Sequence, residues 1–174
     1  MADASGKANE GIRLLERGLY DEAARAFIQA RLLDPRSPEL AFDLGLARLR
    51  EGRLRDARAA FEDALALGGE EPDLLANLGL ALFGLGKVEE AEARFRGALG
   101  LDPKHPEAAN DLGVLMFSLG RYAEARELFM RAVASRDDYL DAWFNLRDAC
   151  AELGLEDERT SAASRVEELE GGDR

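Results

Sequence analysis

The apolar residues of this chain recur at helical spacing, most clearly between Pro72 and His105. One set falls at i, i+3, i+4 and i+7, which is one stripe of an amphipathic helix: Leu75, Leu78, Gly79 and Leu82. A second stripe follows: Ala91, Phe95, Ala98 and Leu99. Gly86, in a left-handed conformation, is expected to end the first helix. Asp102-Pro103 should end the second, because proline disfavours helical geometry in the residue before it. The segment therefore predicts two helices joined by a short turn.

The same pattern returns every 34 residues along the chain. The turn glycine recurs at five positions: Gly18, Gly52, Gly86, Gly120 and Gly154. A second glycine series lies in the first helices: Gly11, Gly45, Gly79 and Gly113. Alanine and phenylalanine follow in the second helices: Ala23, Ala57, Ala91 and Ala125, and Phe27, Phe61, Phe95 and Phe129. Such a period indicates one helical hairpin copied along the chain, and the copies must stack because one pair cannot bury its apolar face. The glycines and alanines are expected to meet where the two helices of a pair cross.

These residues resemble the tetratricopeptide repeat (TPR) family, whose pattern is a large apolar residue, Leu-Gly, a large residue, Ala, Phe, Ala and Pro. The third repeat supplies Leu75, Leu78-Gly79, Leu82, Ala91, Phe95, Ala98 and Pro103. The fourth supplies Ala109, Leu112-Gly113, Met116, Ala125, Phe129 and Ala132, with Asp137 in place of the proline. The resemblance implies an all-α fold, a right-handed α-solenoid of stacked antiparallel helix pairs.

In register, the resemblance predicts a single solenoid domain over 1–174. Its repeats are expected at 4–37, 38–71, 72–105 and 106–139, with a degenerate capping repeat at 140–173. The end repeats depart from the pattern, since Lys7 and Glu10 occupy large apolar positions and Arg147 and Arg159 occupy small ones. The last repeat nevertheless keeps Ala163, Val166 and Leu169 in register. Both ends are interpreted as caps, because solenoids need polar terminal faces. All five prolines fall at predicted helix junctions: Pro35, Pro38, Pro72, Pro103 and Pro106.

Net charge narrows the choice of partner. At −12, the chain is unsuited to binding a nucleic-acid backbone or an anionic membrane. No stretch approaches the roughly 18 apolar residues of a membrane-spanning helix, and Met1–Glu10 lacks the apolar core of a signal peptide. A single cysteine, Cys150, fits a reducing compartment. The protein is therefore expected to be cytoplasmic.

The sequence shows no catalytic constellation, so a non-enzymatic protein without cofactor or metal is expected. His105 lies in a turn without patterned partners, and Cys150 falls at a core-facing position. Gly84-Leu85-Gly86-Lys87 lacks the residues that complete a phosphate-binding loop, because Ala81 and Val88 occupy those positions. Five arginines lie between Arg48 and Arg58; a solvated helix face is the simpler interpretation, and a docking role stays open.

The family resemblance implies that the first helices line a concave groove, which is the usual ligand surface. The candidate groove residues are Asn9, Ile12, Phe42, Asp43, Leu46, Asn77, Leu80, Phe83, Asn110, Asp111, Val114, Phe117 and Asn145. They form an acidic edge and an apolar edge. Amides and carboxylates can bond the backbone of an extended peptide, and the acids favour Lys or Arg in the partner.

Some TPR domains clamp acidic chaperone tails with basic side chains in this groove. The corresponding positions of the first three repeats hold no base: Ala8, Ile12, Asp43, Asp73 and Asn77. The two later windows also lack one, so binding of chaperone tails is not expected.

The sequence therefore predicts an adaptor or scaffold that binds a basic or amphipathic protein segment. Two alternatives stay open. One is a self-associating protein that forms homodimers through the groove or a terminal helix. The other is an accessory subunit that positions a catalytic partner.

Overall fold

The computed structural model describes residues 3–171, which contain ten α-helices and no β-strand. The first helices of the pairs are α1 (Ala4–Glu16), α3 (Pro38–Arg50), α5 (Pro72–Gly84), α7 (Pro106–Ser118) and α9 (Leu140–Glu152). The second helices are α2 (Tyr20–Leu33), α4 (Leu54–Gly68), α6 (Val88–Leu101), α8 (Tyr122–Ser135) and α10 (Glu156–Gly171).

The turn inside each pair has the same construction throughout. The five turn glycines all have positive φ, between 69° and 80°, which an L side chain rarely adopts. The next helix begins two residues after the glycine. A backbone hydrogen bond closes the turn; for example, the Arg53 N–H donates to the Arg48 carbonyl at 2.9 Å. The predicted role of these glycines is confirmed.

Three of the four junctions between pairs place proline at the start of the next helix, and two of these three also have a side-chain cap. Helices α3, α5 and α7 each begin with proline, where its missing N–H costs nothing. Ser37 Oγ accepts a hydrogen bond from the Leu40 N–H at 3.1 Å, and His105 Nδ1 accepts one from the Ala108 N–H at 3.2 Å. The junction after α4 differs, because the helix runs into Gly68 and then Gly69, with a φ of 91°.

In the first, second and fourth pairs, a buried phenylalanine ring packs on a glycine of the facing helix. Phe27, Phe61, Phe95 and Phe129 are all essentially inaccessible to solvent. A methyl group on Gly113 would lie 2.5 Å from Cε1 of Phe129, and one on Gly11 would lie 2.6 Å from the same atom of Phe27. The nearest side-chain atoms to these glycines are therefore those of the ring, and the contact with the facing alanine stays a prediction. The alanines are buried separately in the same core.

The described residues fall into two compact bodies, divided between Arg94 and Phe95. In the N-terminal body, α3 contacts both α1 and α5; in the C-terminal body, α7 contacts α9. The division into five repeats of one domain stays a prediction, and residues 172–173 of the predicted fifth repeat lie outside the described residues.

The last helix, α10, packs differently from the other second helices. Arg159, at the position of the buried alanines, is exposed, and Ala163, at the position of the buried phenylalanines, is only half-buried. The buried residues are instead Ala162 and Val166. Helix α10 thus buries little apolar surface, and its role as a cap stays a prediction.

Candidate functional site

Helices α1, α3 and α5 present the candidate residues of the N-terminal body on adjacent first helices. Asn9 and Ile12 lie on α1, and Ile12 is 42% exposed. The remaining candidates lie on α3 and α5 and are half-buried: Phe42, Asp43, Leu46, Asn77, Leu80 and Phe83. We call this surface the N-terminal face.

A cleft of about 480 Å³ opens in the N-terminal face where α3 begins, α4 ends and α5 begins. Its apolar lining comes from Pro38, Phe42, Ala64 and Leu74. Four carboxylates surround that lining: Glu39, Asp43, Glu71 and Asp73. The cleft exists beside the Gly68-Gly69 pair, which brings no side chain into it. An apolar floor with an acidic rim suits an alkyl chain that ends in a cation.

Asp43 is one of these four carboxylates, and its surroundings clearly raise its pKa. Burial, followed by repulsion from Glu39, raises the pKa of Asp43 to about 6. Among the described residues, no side chain donates a hydrogen bond to it. Glu39, by contrast, accepts one from Ser37 Oγ at 2.6 Å, which lowers the pKa of Glu39. Asp43 therefore has the capacity to accept hydrogen bonds from a cation.

Asn77, one repeat further on, is used within its own helix. Its Nδ2 donates to the backbone carbonyl of Asp73 at 2.8 Å. This bond spans one turn of α5 and does not link α5 to another helix. It uses the amide nitrogen of Asn77, so it leaves the amide oxygen available as an acceptor.

Helices α7 and α9 carry the remaining candidates, and here the polar side chains bond one another. Asn145 Nδ2 donates to Asn110 Oδ1 at 2.8 Å, and Asn110 Nδ2 donates to Asp111 Oδ1 at 3.3 Å. Asn110 is only 5% exposed. Val114 and Phe117 lie half-buried further along α7. We call this surface the C-terminal face.

The charged groups near Asp111 also interact with one another. Burial raises the pKa of Asp111 to about 6, while its hydrogen bond from Asn110 acts in the opposite direction. Arg136 forms an ion pair with Glu107 at 2.6 Å, and its guanidinium lies 3.9 Å from the centre of the Tyr139 ring. Burial and the nearby Asp111 charge raise the pKa of Tyr139 to about 12. This face is largely satisfied by its own groups.

Sequence reasoning missed three features of these faces. Two of them are Arg136 and Tyr139, which lie between α8 and α9 and therefore outside the first-helix positions from which the candidate residues come. The cleft had a visible signal, because Gly68-Gly69 replaces the Asp-Pro that ends the neighbouring repeats at Asp102-Pro103.

His105 and Cys150 are the two side chains of types often used in catalysis, and both have structural roles here. His105 is the N-cap of α7, and Cys150 is a buried free cysteine whose pKa is raised by burial and by Glu158. Both agree with the structural roles predicted for them. Within residues 3–171, no group of three or more His, Cys, Asp or Glu side chains is arranged to hold a metal ion. In the same range, no helix combines the length and apolarity needed to span a membrane.

Comparison with known proteins identifies the family. A tetratricopeptide repeat model matches residues 9–72, 76–140 and 117–158, and a second tetratricopeptide repeat model matches 48–97. The chain therefore belongs to the tetratricopeptide repeat family. No curated protein sequence matches it.

Solved structures show the same fold at low sequence identity. The crystal structure of MamA has a TM-score of 0.78 and 23% identity, over 94% of this chain and 95% of that one. PilF of Pseudomonas aeruginosa has a TM-score of 0.86 and 20% identity, over 95% and 76%. YrrB, described as a TPR protein with an unusual peptide-binding site, has a TM-score of 0.69 and 22% identity, over 96% and 86%. The predicted class, an all-α solenoid of TPR helix pairs, is confirmed.

Proposed function

We propose that this protein is a non-enzymatic interaction module, an adaptor or scaffold, whose N-terminal face binds a basic or amphipathic protein segment. The observation that carries the proposal is the cleft of about 480 Å³ with an apolar floor and four carboxylates on its rim. The peptide-binding site in the name of YrrB makes a peptide a reasonable ligand class for the fold. Cytoplasmic residence is part of the same proposal.

The contacts available in the cleft define what the segment must carry. The alkyl part of a Lys or Arg side chain can lie along Phe42 and Leu74, with its charge beside Asp43. A charged hydrogen bond to a carboxylate is worth about 1.5–3 kcal/mol, and Asp43 is free to accept one. The neighbouring Leu46 and Leu80 provide half-buried apolar surface for the residues that flank the base.

Fluorescence polarisation with a matched pair of labelled peptides tests the proposal. One peptide alternates Lys with Leu, and the other replaces each Lys with Glu. The Lys peptide should bind and the Glu peptide should not. Asp43→Lys should weaken Lys-peptide binding at least about tenfold, which corresponds to about 1.4 kcal/mol. Asp43→Asn, which removes the charge but preserves the shape, should weaken it less.

A control separates the cleft from the general negative charge of the protein. Glu22 is an exposed acid on α2, and Glu22→Lys changes the net charge by the same amount as Asp43→Lys. It should change the affinity less than about twofold. Equal loss in the two variants, or equal binding of the two peptides, would show that the cleft is not the site.

The raised pKa of Asp43 adds a second readout. A cation binds the ionised carboxylate, so affinity should fall as the pH drops from 7.5 through the pKa of about 6. Asp43→Asn should flatten that dependence. A wild-type affinity that does not vary between pH 7.5 and 5 would contradict the role of Asp43.

A further inference from the structure

An exposed apolar ridge runs along α2, on a helix that takes no part in the N-terminal face. Leu32 is 78% exposed, and Ile28, one turn earlier, is 39% exposed. Arg25 is also exposed, and its spacing from Ile28 and Leu32 places all three on one side of the helix. We call these three residues the α2 ridge. The guanidinium of Arg25 is held by Asp21 one turn before it, which orients the charge at the end of the ridge.

An apolar slot of about 480 Å³ opens in the C-terminal body between α8, α9 and α10. Its apolar lining comes from Met130, Val133, Trp143, Leu146 and Ala162. The indole Nε1 of Trp143 donates to the carbonyl of Asp137 at 2.8 Å, so the polar atom of the ring is already satisfied. What the slot offers a ligand is therefore hydrocarbon surface.

The slot is open because α10 carries short side chains where it faces α8. Its lining residues there are Ser161 and Ala162. The helix packs through Ala162 and Val166, and two ion pairs add to this packing: Arg126 Nε donates to Glu158 at 2.7 Å, and Arg165 pairs with Asp137. Arg126 lies near the start of α8 and Asp137 lies two residues beyond its end, so the two ion pairs tie α10 to both ends of α8, and the slot opens between them.

The rim of the slot is acidic. It includes Asp137, Asp157 and Glu158, of which Asp137 and Glu158 are paired with arginines of the same body. The carboxylate of Asp157 has no ion pair within the described residues. The best-fitting ligand is thus an apolar ridge with a cation at one end, and the α2 ridge has that composition.

We propose that the α2 ridge of one copy docks in the apolar slot of a second copy, with Leu32 against Trp143 and Arg25 near Asp157. The contact joins two different surfaces, so each copy keeps a free ridge or a free slot after pairing. The net charge of −12 opposes contact between copies. Attraction between Arg25 and the acidic rim offsets part of that repulsion where the two surfaces meet.

Sedimentation velocity over a concentration series at about 0.15 M salt, where charge acts over about 8 Å, tests the proposal. The wild-type protein should show a mass that rises with concentration. Leu32→Glu removes the ridge, and Met130→Lys, at a residue 43% exposed, places a cation in the slot. Each variant alone should associate at least about tenfold more weakly. Circular dichroism checks that both stay folded.

Mixing the two variants gives the decisive result. Leu32→Glu retains its slot and Met130→Lys retains its ridge, so an equimolar mixture has one productive contact and should form a species of twice the monomer mass and nothing larger. Leu119→Glu, at a leucine 47% exposed and outside both surfaces, should associate like the wild type. A wild-type mass that stays monomeric, a mixture that stays monomeric, or an equal loss in Leu119→Glu would overturn the proposal.

Discussion

The two faces formed by the first helices use the same repeat positions for different purposes. On the N-terminal face, within residues 3–171, Asp43 accepts no hydrogen bond from a side chain, and Asn77 bonds only its own helix. On the C-terminal face, the equivalent Asp111 and Asn145 are joined through Asn110. The first face leaves hydrogen-bonding capacity unused among the described residues, while the second uses it to hold α7 against α9.

The difference between the two faces comes from the residue next to the shared polar position. That residue is Asn110 on α7, whereas it is Ala76 one repeat earlier and Phe42 two repeats earlier. The amide of Asn110 links the polar residues of adjacent first helices, which the apolar Ala76 and Phe42 side chains have no polar atom to do. A repeat protein can therefore vary one position to decide whether a face is open to a partner or closed on itself.

The largest expected effect tests whether both faces rest on equivalent cores. Phe61→Ala in the N-terminal body and Phe129→Ala in the C-terminal body should each lower the free energy of unfolding by about 3–5 kcal/mol, because both rings are buried against a glycine. Urea unfolding followed by circular dichroism measures this. A cost below about 1 kcal/mol at one site alone would mean that the bodies differ in their cores and not only in their faces.

The sequence predicts the structural role of a residue well when that role is the same in every repeat. The turn glycines, the prolines and the buried phenylalanines occupy fixed positions in each copy, so periodicity alone locates them. The close approach of the Phe61 ring to Gly45 was not predicted, since spacing along a helix does not tell which facing side chain is long enough to reach it. A ring at Phe61 reaches further than the methyl of Ala57.

The sequence predicts which helices carry the candidate residues but not the contacts that those residues make. Asp43 and Asp111 occupy the same position of the first helix, two repeats apart, and both are aspartates. Their different surroundings arise from Asn110 and from junction residues such as Tyr139, which are specific to one repeat. Contacts of that kind depend on the distance between helices, which no pattern of apolar positions reports.

The second prediction concerns the amides and has an intermediate effect. Asn110→Ala removes a buried side chain that both accepts from Asn145 and donates to Asp111, and it should cost about 1–3 kcal/mol. Asn77→Ala removes one exposed bond within a helix and introduces the best helix former, so its cost should be close to zero. Thermal unfolding of the two variants compares them directly. Equal destabilisation would show that the C-terminal face is no more closed than the N-terminal one.

The smallest expected effect concerns the two carboxylates and depends on pH. The pKa of each is raised to about 6 in the folded protein from an ordinary value of 3.8, so the ionised form is disfavoured by folding. Each group therefore destabilises the protein at pH 7.5, and that penalty is relieved as the pH falls from about 6 towards 4. Asp111→Asn should raise the free energy of unfolding at pH 7.5 by about 1–2 kcal/mol, and Asp43→Asn should raise it by less, because solvent screens the more accessible group.

Melting temperatures at pH 7.5 and 5.0 separate this linkage from a change in packing. At pH 5.0, halfway through the window, the gain from Asp111→Asn should shrink by about half, because the folded wild-type protein has by then taken up the proton. Asp43→Asn should show the same direction together with weakened binding of the Lys peptide, while Asp111→Asn should leave that binding unchanged. If Asp111→Asn weakened binding as strongly as Asp43→Asn, the C-terminal face would be open to the ligand as well, and the distinction between the two faces would not hold.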